Sequence, residues 1–363
     1  MKATGIVACA ARAAAVAGLA WLTLGAGPTP PVIAAQSPFA APADNGAAPV
    51  PVRLKPFRLI YRQIEGTYLK GPRGVFFDRQ RGEVYVADTM NDLVAVYDRQ
   101  GLPLFAFGYN GEFKEPTKAV VDGKNRIYVL AGAGRKLKVF SYRGEYLHDF
   151  PFPGVEGKAV PTALTADGEG NVYVADSASG QILVYDADQR LKLRFGTGRG
   201  GDGRFQAVQA ITVDRQRNIY VVDAQGMPLQ VFSSEGVFLR GWGEHAGGPQ
   251  NFSLPSGVAV DSAGRIIVAD MIRQVVSVFT PEGSFLGRHG GLGFDPGAMA
   301  FPSDVASDGE RRLYVVEKAG NRLQILDEEN MTPSRARAAA GPVPARTREE
   351  IKRSISDFLG PTR

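Results

Sequence analysis

A single unit with four short apolar runs recurs six times along the chain, at intervals of 43 to 47 residues. In its clearest copy, residues 254–290, the runs are GVAVD, IIVAD, VVSVFT and FLGRHG. Runs rich in Val, Ile and Phe that are separated by turn formers predict antiparallel strands. The second run of each unit ends, in order, at Asp88, Ala131, Asp176, Asp223, Asp270 and Glu317. Four strands repeated at this period predict an all-β fold, a six-bladed β-propeller of four-stranded antiparallel blades.

Two further positions recur in register, at the two ends of the first strand. A marker residue opens this strand, and an aspartate closes it six residues later. The markers are Pro72, Pro116, Pro161, Val208, Pro255 and Pro302. The aspartates are Asp78, Asp122, Asp167, Asp214, Asp261 and Asp308. An aspartate at a strand end accepts hydrogen bonds from the N–H groups of the following turn. Recurring residues therefore report the fold, and function is expected where one unit departs from the others.

The repeated motif resembles that of the NHL repeat family. The best matches are PSGVAVDSAGRIIVAD at 255–270, PTALTADGEGNVYVAD at 161–176 and NRLQIL at 321–326. The resemblance covers about residues 57–330 and implies a propeller over that range. The family includes binding modules and enzymes, so the resemblance implies no particular activity.

The last unit lacks a fourth strand of its own and stops after LQILD. The segment PFRLIYRQIEG at 56–66 belongs to no complete unit, yet it resembles the fourth strands FLGRHG and FLRGWG. We therefore predict that this N-terminal strand completes the last blade and closes the ring, which removes two exposed sheet edges.

The residues before the propeller divide into two segments. Residues 1–35 contain Lys2 and Arg12, an apolar run and then small residues, a pattern typical of a signal peptide cleaved near Ala35. This pattern predicts a secreted or periplasmic protein, with an uncleaved membrane anchor as the alternative. Residues 36–56 are rich in Ala and Pro and predict a disordered spacer.

Residues 331–363 form a basic tail that contains a helix signal. Thr347 and Glu350 match a capping box, and apolar residues follow at helical spacing. We predict a short amphipathic helix at about 348–359. This helix either docks on the propeller or contacts a partner or membrane.

Charge and cysteine content limit the classes of function. The leader carries +2 and residues 331–363 carry +4 of the formal +5, which leaves about −1 for residues 36–330, so the propeller is nearly neutral. A nearly neutral propeller argues against nucleic-acid binding. The only cysteine of the sequence, Cys9, lies in the leader, so a mature chain would have no disulfide.

The residue after each marker is predicted to face the mouth of the central channel, where propellers usually bind ligands. These six mouth residues are Arg73, Thr117, Thr162, Gln209, Ser256 and Ser303. Such a small polar ring suits a sugar, a peptide or a carboxylate, and a water-filled channel without a ligand is the alternative.

The second unit departs from the others at the end of its second strand. Ala131 replaces the acid there, and Arg135, Lys136 and Lys138 follow. These three bases predict a contact patch for an acidic ligand or partner. The alternative is an ordinary solvated hairpin.

Two kinds of propeller enzyme imply metal sites that the mouth residues do not match. The lyase that completes peptide amidation implies three histidines at the mouth, whereas His148, His245 and His289 lie elsewhere. Gluconolactonase-like propellers imply a cation held by carboxylates and Asn, which the mouth positions also lack, although deeper positions stay open. We therefore predict no metal ligands, no catalytic residues and no cofactor, and a structural or channel-bound calcium ion stays open.

These features together predict a monomeric, non-catalytic binding or scaffold protein of the cell envelope. The channel-mouth face would bind a protein partner or a small polar ligand. Membrane contact is expected only through an uncleaved leader or the C-terminal helix, and nucleic acid is not expected as a partner. The alternative is a metal-dependent propeller enzyme, lactonase-like or lyase-like.

Overall fold

A computed structural model of the chain describes residues 52–132, 136–196, 202–248 and 250–329. The regular structure within these residues consists of β-strands and one short 3-10 turn at Thr89–Asn91. The predicted signal peptide, most of the spacer and the predicted C-terminal helix lie outside the described residues. Over the described ranges, no helix has both the length and the apolar character needed to span a membrane.

The strands follow one another along the chain in the order that the repeats predict. The first is β1 (Leu54–Ile60). Blade 1 contains β2 (Gly74–Asp78), β3 (Glu83–Asp88), β4 (Leu93–Asp98) and β5 (Pro103–Phe107). Blade 2 contains β6 (Lys118–Val121), β7 (Ile127–Ala131), β8 (Lys136–Phe140) and β9 (Tyr146–Asp149). Blade 3 contains β10 (Pro161–Ala166), β11 (Val172–Asp176), β12 (Gln181–Tyr185) and β13 (Leu191–Phe195).

The second half of the ring repeats the same arrangement. Blade 4 contains β14 (Val208–Val213), β15 (Ile219–Asp223), β16 (Leu229–Phe232) and β17 (Phe238–Trp242). Blade 5 contains β18 (Pro255–Val260), β19 (Ile266–Asp270), β20 (Val275–Phe279) and β21 (Phe285–Gly290). Blade 6 contains β22 (Pro302–Ser307), β23 (Arg312–Glu317) and β24 (Arg322–Glu328), with β1 as its fourth strand. The predicted six-bladed propeller of four-stranded antiparallel blades is confirmed.

Blade 6 is the only blade of the described chain that combines strands from both ends of the propeller. β1 pairs antiparallel with β24, and Leu59 lies opposite Gln324. The predicted closure of the ring is confirmed. The strand begins at Leu54, before the predicted boundary at residue 57, and Leu54 is buried among residues of blades 5 and 6. Lys55 and Pro56 interrupt the apolar pattern at this point, which is why the sequence does not mark Leu54 as part of the strand.

Six apolar clusters hold the ring together, one between each pair of adjacent blades. Between blades 1 and 2, for example, Phe113 is 2% exposed and its ring lies 6.0 Å from that of Phe107 and 5.5 Å from that of Phe140. Each blade thus buries its apolar faces against its two neighbours, as in other repeat architectures.

The first strand of each blade lies innermost, and these inner strands contact one another around a central channel. We call the face where the inner strands begin the marker face. It carries the connections between successive blades and the turns between second and third strands. The opposite face, which we call the turn face, carries the turns that follow the recurring aspartates.

The recurring aspartates stabilise the turns of the turn face, as predicted. In blade 3, Oδ1 of Asp167 accepts hydrogen bonds from the N–H groups of Glu169 and Asn171, both at 2.9 Å. The other oxygen accepts a hydrogen bond from the Tyr173 hydroxyl at 2.9 Å. Blade 4 repeats this arrangement around Asp214. These carboxylates therefore serve the fold.

Candidate functional site

The six mouth residues differ in exposure. Arg73, Thr162 and Gln209 are exposed, whereas Ser256 and Ser303 are each 8% exposed. The Ser256 hydroxyl donates to the backbone oxygen of Pro302 at 2.9 Å, and the Ser303 hydroxyl donates to that of Pro72 at 3.0 Å.

The strand register shifts at the residue after the marker in blades 3 to 6, so this residue has no partner opposite it on the second strand. The exposed Thr162 and Gln209 share this bulge. Ser256 and Ser303 differ from them because their short side chains bond to the backbone of the neighbouring blade. The two serines therefore tie adjacent blades together. Ligand binding by the ring stays a prediction, with Arg73 as its exposed cation.

The predicted basic patch of blade 2 is only partly described. Lys138 pairs with Asp149 at 2.6 Å, and its ammonium lies 4.8 Å from the centroid of the Tyr146 ring. Lys136 is exposed at the start of β8 and forms no ion pair with the described residues. Arg135 lies outside the described residues. A contact role for this patch therefore stays a prediction.

The structure brings together two charged residues inside the channel that the sequence analysis missed. Lys118 in blade 2 and Asp304 in blade 6 form an ion pair, although blade 1 lies between their blades. The Lys118 ammonium also donates to the backbone oxygen of Val75 in blade 1 at 2.8 Å. Asp304 accepts from the N–H groups of Val75 and Val305, both at 2.9 Å. The pair thus links three consecutive blades at the centre of the ring.

Two glycines make room for this pair. A Cβ atom at Gly74 would overlap the backbone oxygen of Thr117, and one at Gly257 would lie 2.7 Å from Oδ1 of Asp304. Gly74, Lys118, Gly257 and Asp304 each occupy the second position after the marker. This position is glycine or alanine in four units and charged in two. The departure of Lys118 and Asp304 from that pattern was the signal available in the sequence.

Burial controls the ionisation of Asp304. Loss of solvent raises the pKa of its carboxyl group above the ordinary value, although the charge of Lys118 and hydrogen bonds from two backbone N–H groups act in the opposite direction. The folded state therefore favours the protonated carboxyl more than the unfolded chain does.

We expect Lys118→Met to lower the free energy of unfolding by roughly 2 kcal/mol at neutral pH, because Asp304 stays buried without its cation. A raised pKa in the folded state supplies stability below the unfolded pKa of about 4, and this stability is lost as the pH rises through the folded pKa. The substitution raises the folded pKa of Asp304 further, so the deficit should grow as the pH rises above the folded pKa of the wild-type protein. Urea unfolding at a series of pH values measures it.

The matched control is Lys124→Met, which removes an ion pair with Asp188 on the surface. That pair spans 2.6 Å, and its side chains are 50% and 57% exposed. We expect no measurable change from the control, since exposed pairs contribute little. If Lys118→Met and the control lost the same free energy of unfolding at every pH, this result would contradict the role assigned to the buried pair.

The central channel forms a cavity of about 350 Å³ on the turn-face side of the Lys118–Asp304 pair. Its walls combine apolar side chains of the inner strands with the hydroxyls of Thr165 and Thr212, and charged residues of the turns surround its open end. None of the six mouth residues lines this cavity. The concave site of the described molecule thus opens towards the face opposite the predicted mouth.

The described residues contain no group of three or more His, Cys, Asp or Glu side chains placed to hold a metal ion. The three histidines lie apart. The rings of His148 and His245 approach the backbone oxygens of Asp149 at 3.0 Å and Gly226 at 3.1 Å. Burial lowers the pKa of His289, and its Nε2 atom has no hydrogen-bond partner among the described residues.

The marker face carries an apolar surface that the sequence analysis did not identify. Leu292, Phe294 and Phe301 lie in the connection from blade 5 to blade 6, and Leu292 and Phe294 are 75% and 66% exposed. We call the whole set the apolar sector. Its members are Tyr61, Ile64, Tyr68, Met90, Tyr109, Ile272, Leu292, Phe294 and Phe301. All nine come from blades 5, 6 and 1 and from the connections that follow them. The described marker-face connections of the other three blades expose no large apolar side chain.

A buried ion pair joins two of the segments that carry the apolar sector. Arg322 and Glu317 of blade 6 pair at 2.7 Å, and both side chains are fully buried. The Arg322 guanidinium also donates to the backbone oxygens of Phe294 and Ala298 and to the Tyr61 hydroxyl. The connection into blade 6 and the segment after β1 are therefore held against each other.

Comparison with known proteins supports the fold and leaves the activity open. No family model matches the chain. Protein brain tumor of Drosophila melanogaster is 24% identical over 143 residues, which are 37% of this chain and 13% of the fly protein. The chain thus matches only a small part of that relative, and the relationship is distant.

Solved structures share the six-bladed propeller at low sequence identity. A gluconolactonase of Xanthomonas campestris is 14% identical with a TM-score of 0.54, covering 79% of this chain and 99% of that one. A catalytically inactive virginiamycin B lyase of Staphylococcus aureus, solved with quinupristin, is 12% identical with a TM-score of 0.52, covering 76% and 99%. A Bacteroides thetaiotaomicron protein of unknown function is 16% identical with a TM-score of 0.52, covering 77% and 76%. Such identities show the fold alone.

Proposed function

We propose that this chain is a non-catalytic binding protein of the cell envelope and that its apolar sector docks a protein partner. The observation that carries the proposal is the concentration of nine exposed apolar side chains on three adjacent blades. Exposed apolar residues on soluble proteins are usually scattered singly, and a concentration of them marks an interaction site.

The composition of the apolar sector favours a protein over a small polar ligand. Tyrosine, phenylalanine and methionine are enriched in the cores of protein interfaces, where they fill pockets of the partner. The sector contains Tyr61, Tyr68, Phe294 and Met90, and none of its nine residues lines the channel cavity. Arg73 lies on the same face of blade 1 and supplies a cation at the edge of the surface.

The apolar sector is also held in place before a partner binds. The Arg62 guanidinium lies 4.2 Å from the centroid of the Tyr68 ring, and the Asn91 amide donates to the Tyr68 backbone oxygen at 2.8 Å. In blade 5, the Gln274 side chain accepts a hydrogen bond from the Phe301 N–H at 2.6 Å. A surface ordered in advance loses less conformational entropy on binding.

The proposed location in the envelope is supported by the signal-like pattern of residues 1–35. An envelope protein meets partners outside the cytoplasm, where a rigid, nearly neutral propeller serves as a platform. Sequencing the N-terminus of the protein recovered from the envelope fraction tests the cleavage near Ala35.

We expect the double variant Leu292→Ser/Phe294→Ser to lose a partner that wild-type protein captures in stoichiometric amount from native envelope extract. The two substitutions remove the most exposed apolar side chains of the blade 5 to blade 6 connection. Loss of two apolar contacts at the centre of an interface should weaken capture by at least about tenfold. Crosslinking followed by quantitative mass spectrometry measures the ratio of partner to propeller.

The matched control is Val237→Ser/Leu239→Ser, at apolar residues of blade 4 that are 60% and 46% exposed but lie away from the apolar sector. This control should retain the partner. Equal capture by both double variants, or no stoichiometric partner for wild-type protein, would rule out the proposed docking surface. Similar thermal unfolding of the three proteins shows that any loss of capture does not come from misfolding.

A further inference from the structure

The turn-face end of the channel holds two arginines at a position that is otherwise small. The residue directly after the recurring aspartate is Arg79 in blade 1 and Arg215 in blade 4, which are opposite blades of the ring. In the other four units this residue is Gly123, Gly168, Ser262 or Gly309. The two arginines thus depart from the repeat.

Arg79 extends across the end of the channel. Its guanidinium donates to the backbone oxygen of Val260 in blade 5 at 3.1 Å, and its Cζ atom lies 3.0 Å from where a Cβ atom at Gly309 of blade 6 would be. The glycine therefore gives the side chain room to pass over blade 6. Arg79 is exposed at its surface, yet partial desolvation at the end of the channel and the positive charge of Arg215 lower its pKa, whereas the carboxylates of Asp308 and Asp261 raise it.

Neither arginine forms an ion pair within the described chain. Arg215 lines the channel, is exposed, and forms no hydrogen bond with a described residue. Elsewhere on the turn face, arginines pair with the recurring aspartates, as Arg126 does with Asp122 and Arg265 with Asp261. Asp308, the other acid facing Arg79, accepts hydrogen bonds from its own turn through Oδ1. Arg79 and Arg215 thus line the same end of the channel without an ion-pair partner in the described chain, although Asp167 and Asp214 line it as well.

We propose that the turn-face end of the channel binds a small amphipathic anion, whose carboxylate or phosphate group lies between Arg79 and Arg215 and whose apolar body enters the channel. Guanidinium groups bind both kinds of anion through paired charge-assisted hydrogen bonds. An anion placed there also relieves the repulsion between the two cations.

The channel behind the arginines accommodates an apolar body. Its walls include Val75, Phe77, Ile211 and Val258, and its volume of about 350 Å³ is within the usual range for small-molecule sites. Lys118 lines its inner end, where Asp304 already neutralises the ammonium. The anionic group of the ligand is therefore drawn to the arginines at the open end, and the apolar body points inward.

Isothermal titration with octanoate and octyl phosphate at low salt tests the proposal on the purified full chain. We expect at least one of these two probes to bind. The probe that binds more tightly identifies the preferred anionic group. Octan-1-ol, which lacks the charge, should bind at least about tenfold more weakly. Affinity should rise about threefold per methylene from butanoate to octanoate as the apolar wall is covered.

Arg79→Gln and Arg215→Gln should each weaken binding of the better probe by about tenfold, and added salt should weaken it in wild-type protein. Arg143→Gln is the matched control, since Arg143 is an exposed arginine of a turn-face hairpin outside the channel, and it should bind as wild type does. The proposal is overturned by no binding of either probe at millimolar concentration, by equal binding to the Arg79→Gln/Arg215→Gln double variant, or by an affinity independent of chain length.

Discussion

Replacement of residues 54–60 by a seven-residue Gly-Ser sequence is expected to abolish cooperative unfolding and to cause aggregation. β1 is the strand through which the N-terminal end of the propeller pairs with the C-terminal strands of blade 6. The replacement removes the backbone ladder to β24 and the buried side chains of Leu54 and Ile60. We expect a loss of roughly 5–10 kcal/mol, which is comparable with the whole free energy of unfolding of many domains.

The replacement also leaves β24 as an unpaired edge, and such edges pair with other chains. The matched control replaces β9, the outermost strand of blade 2, by four Gly-Ser residues. β9 is mostly exposed, and the ring stays closed without it. We expect the control to remain a monomer with a cooperative, moderately weakened unfolding transition. Urea unfolding followed by circular dichroism and size-exclusion chromatography compare the two. A soluble, monomeric β1 replacement with an unchanged midpoint would show that closure does not hold the ring.

The strand order was predictable because each strand repeats its own local signals. The run IIVAD, for instance, predicts the second strand of blade 5, and the structure places β19 at Ile266–Asp270. The aspartate that closes each inner strand was predictable for the same reason, since its hydrogen bonds go to the turn that follows it. Local chemistry repeated six times is enough to specify a blade and the closing strand.

The channel pair was not predicted because its two members meet only in the closed ring. Lys118 and Asp304 are 186 residues apart in sequence, and no local pattern connects them. When the six units are compared at the second position after the marker, Lys118 and Asp304 are the two residues that are not glycine or alanine. Their charges are opposite. Their contact across blade 1 requires the curvature of the ring and the two glycines, Gly74 and Gly257, that admit it.

The sequence also did not predict which individual side chains are exposed. Ser256 and Ser303 are polar and follow the marker, so the repeat alone places them at the channel mouth with Arg73. Their hydroxyls bond to backbone oxygens of the neighbouring blade, which lies beside them only in the closed ring. Leu292 and Phe294 stand in a Gly-rich connection without periodicity, and only the packed structure shows that they are exposed.

Arg322→Met is expected to lower the free energy of unfolding by about 3–5 kcal/mol, because it leaves Glu317 fully buried without a cation. Burial already raises the pKa of Glu317, while Arg322 and the Ala300 N–H lower it. Loss of the arginine therefore removes the main group that stabilises the carboxylate. The matched control is Lys136→Met, at the corresponding first position of β8, where the side chain is exposed. We expect little change from the control, and urea unfolding measures both variants.

The double variant Glu317→Gln/Arg322→Met separates the charge from the hydrogen bonds. It removes the unpaired buried carboxylate and should recover a large part of the stability, since an apolar side chain replaces a buried ion pair at little cost. It does not restore the donors to the backbone oxygens of Phe294 and Ala298. The connection that carries Leu292 and Phe294 should thus show faster amide hydrogen exchange in both variants. If partner docking requires this connection to be ordered in advance, the double variant will be stable yet bind its partner weakly. Equal stability of Arg322→Met and wild type would instead show that the buried pair contributes nothing to the fold.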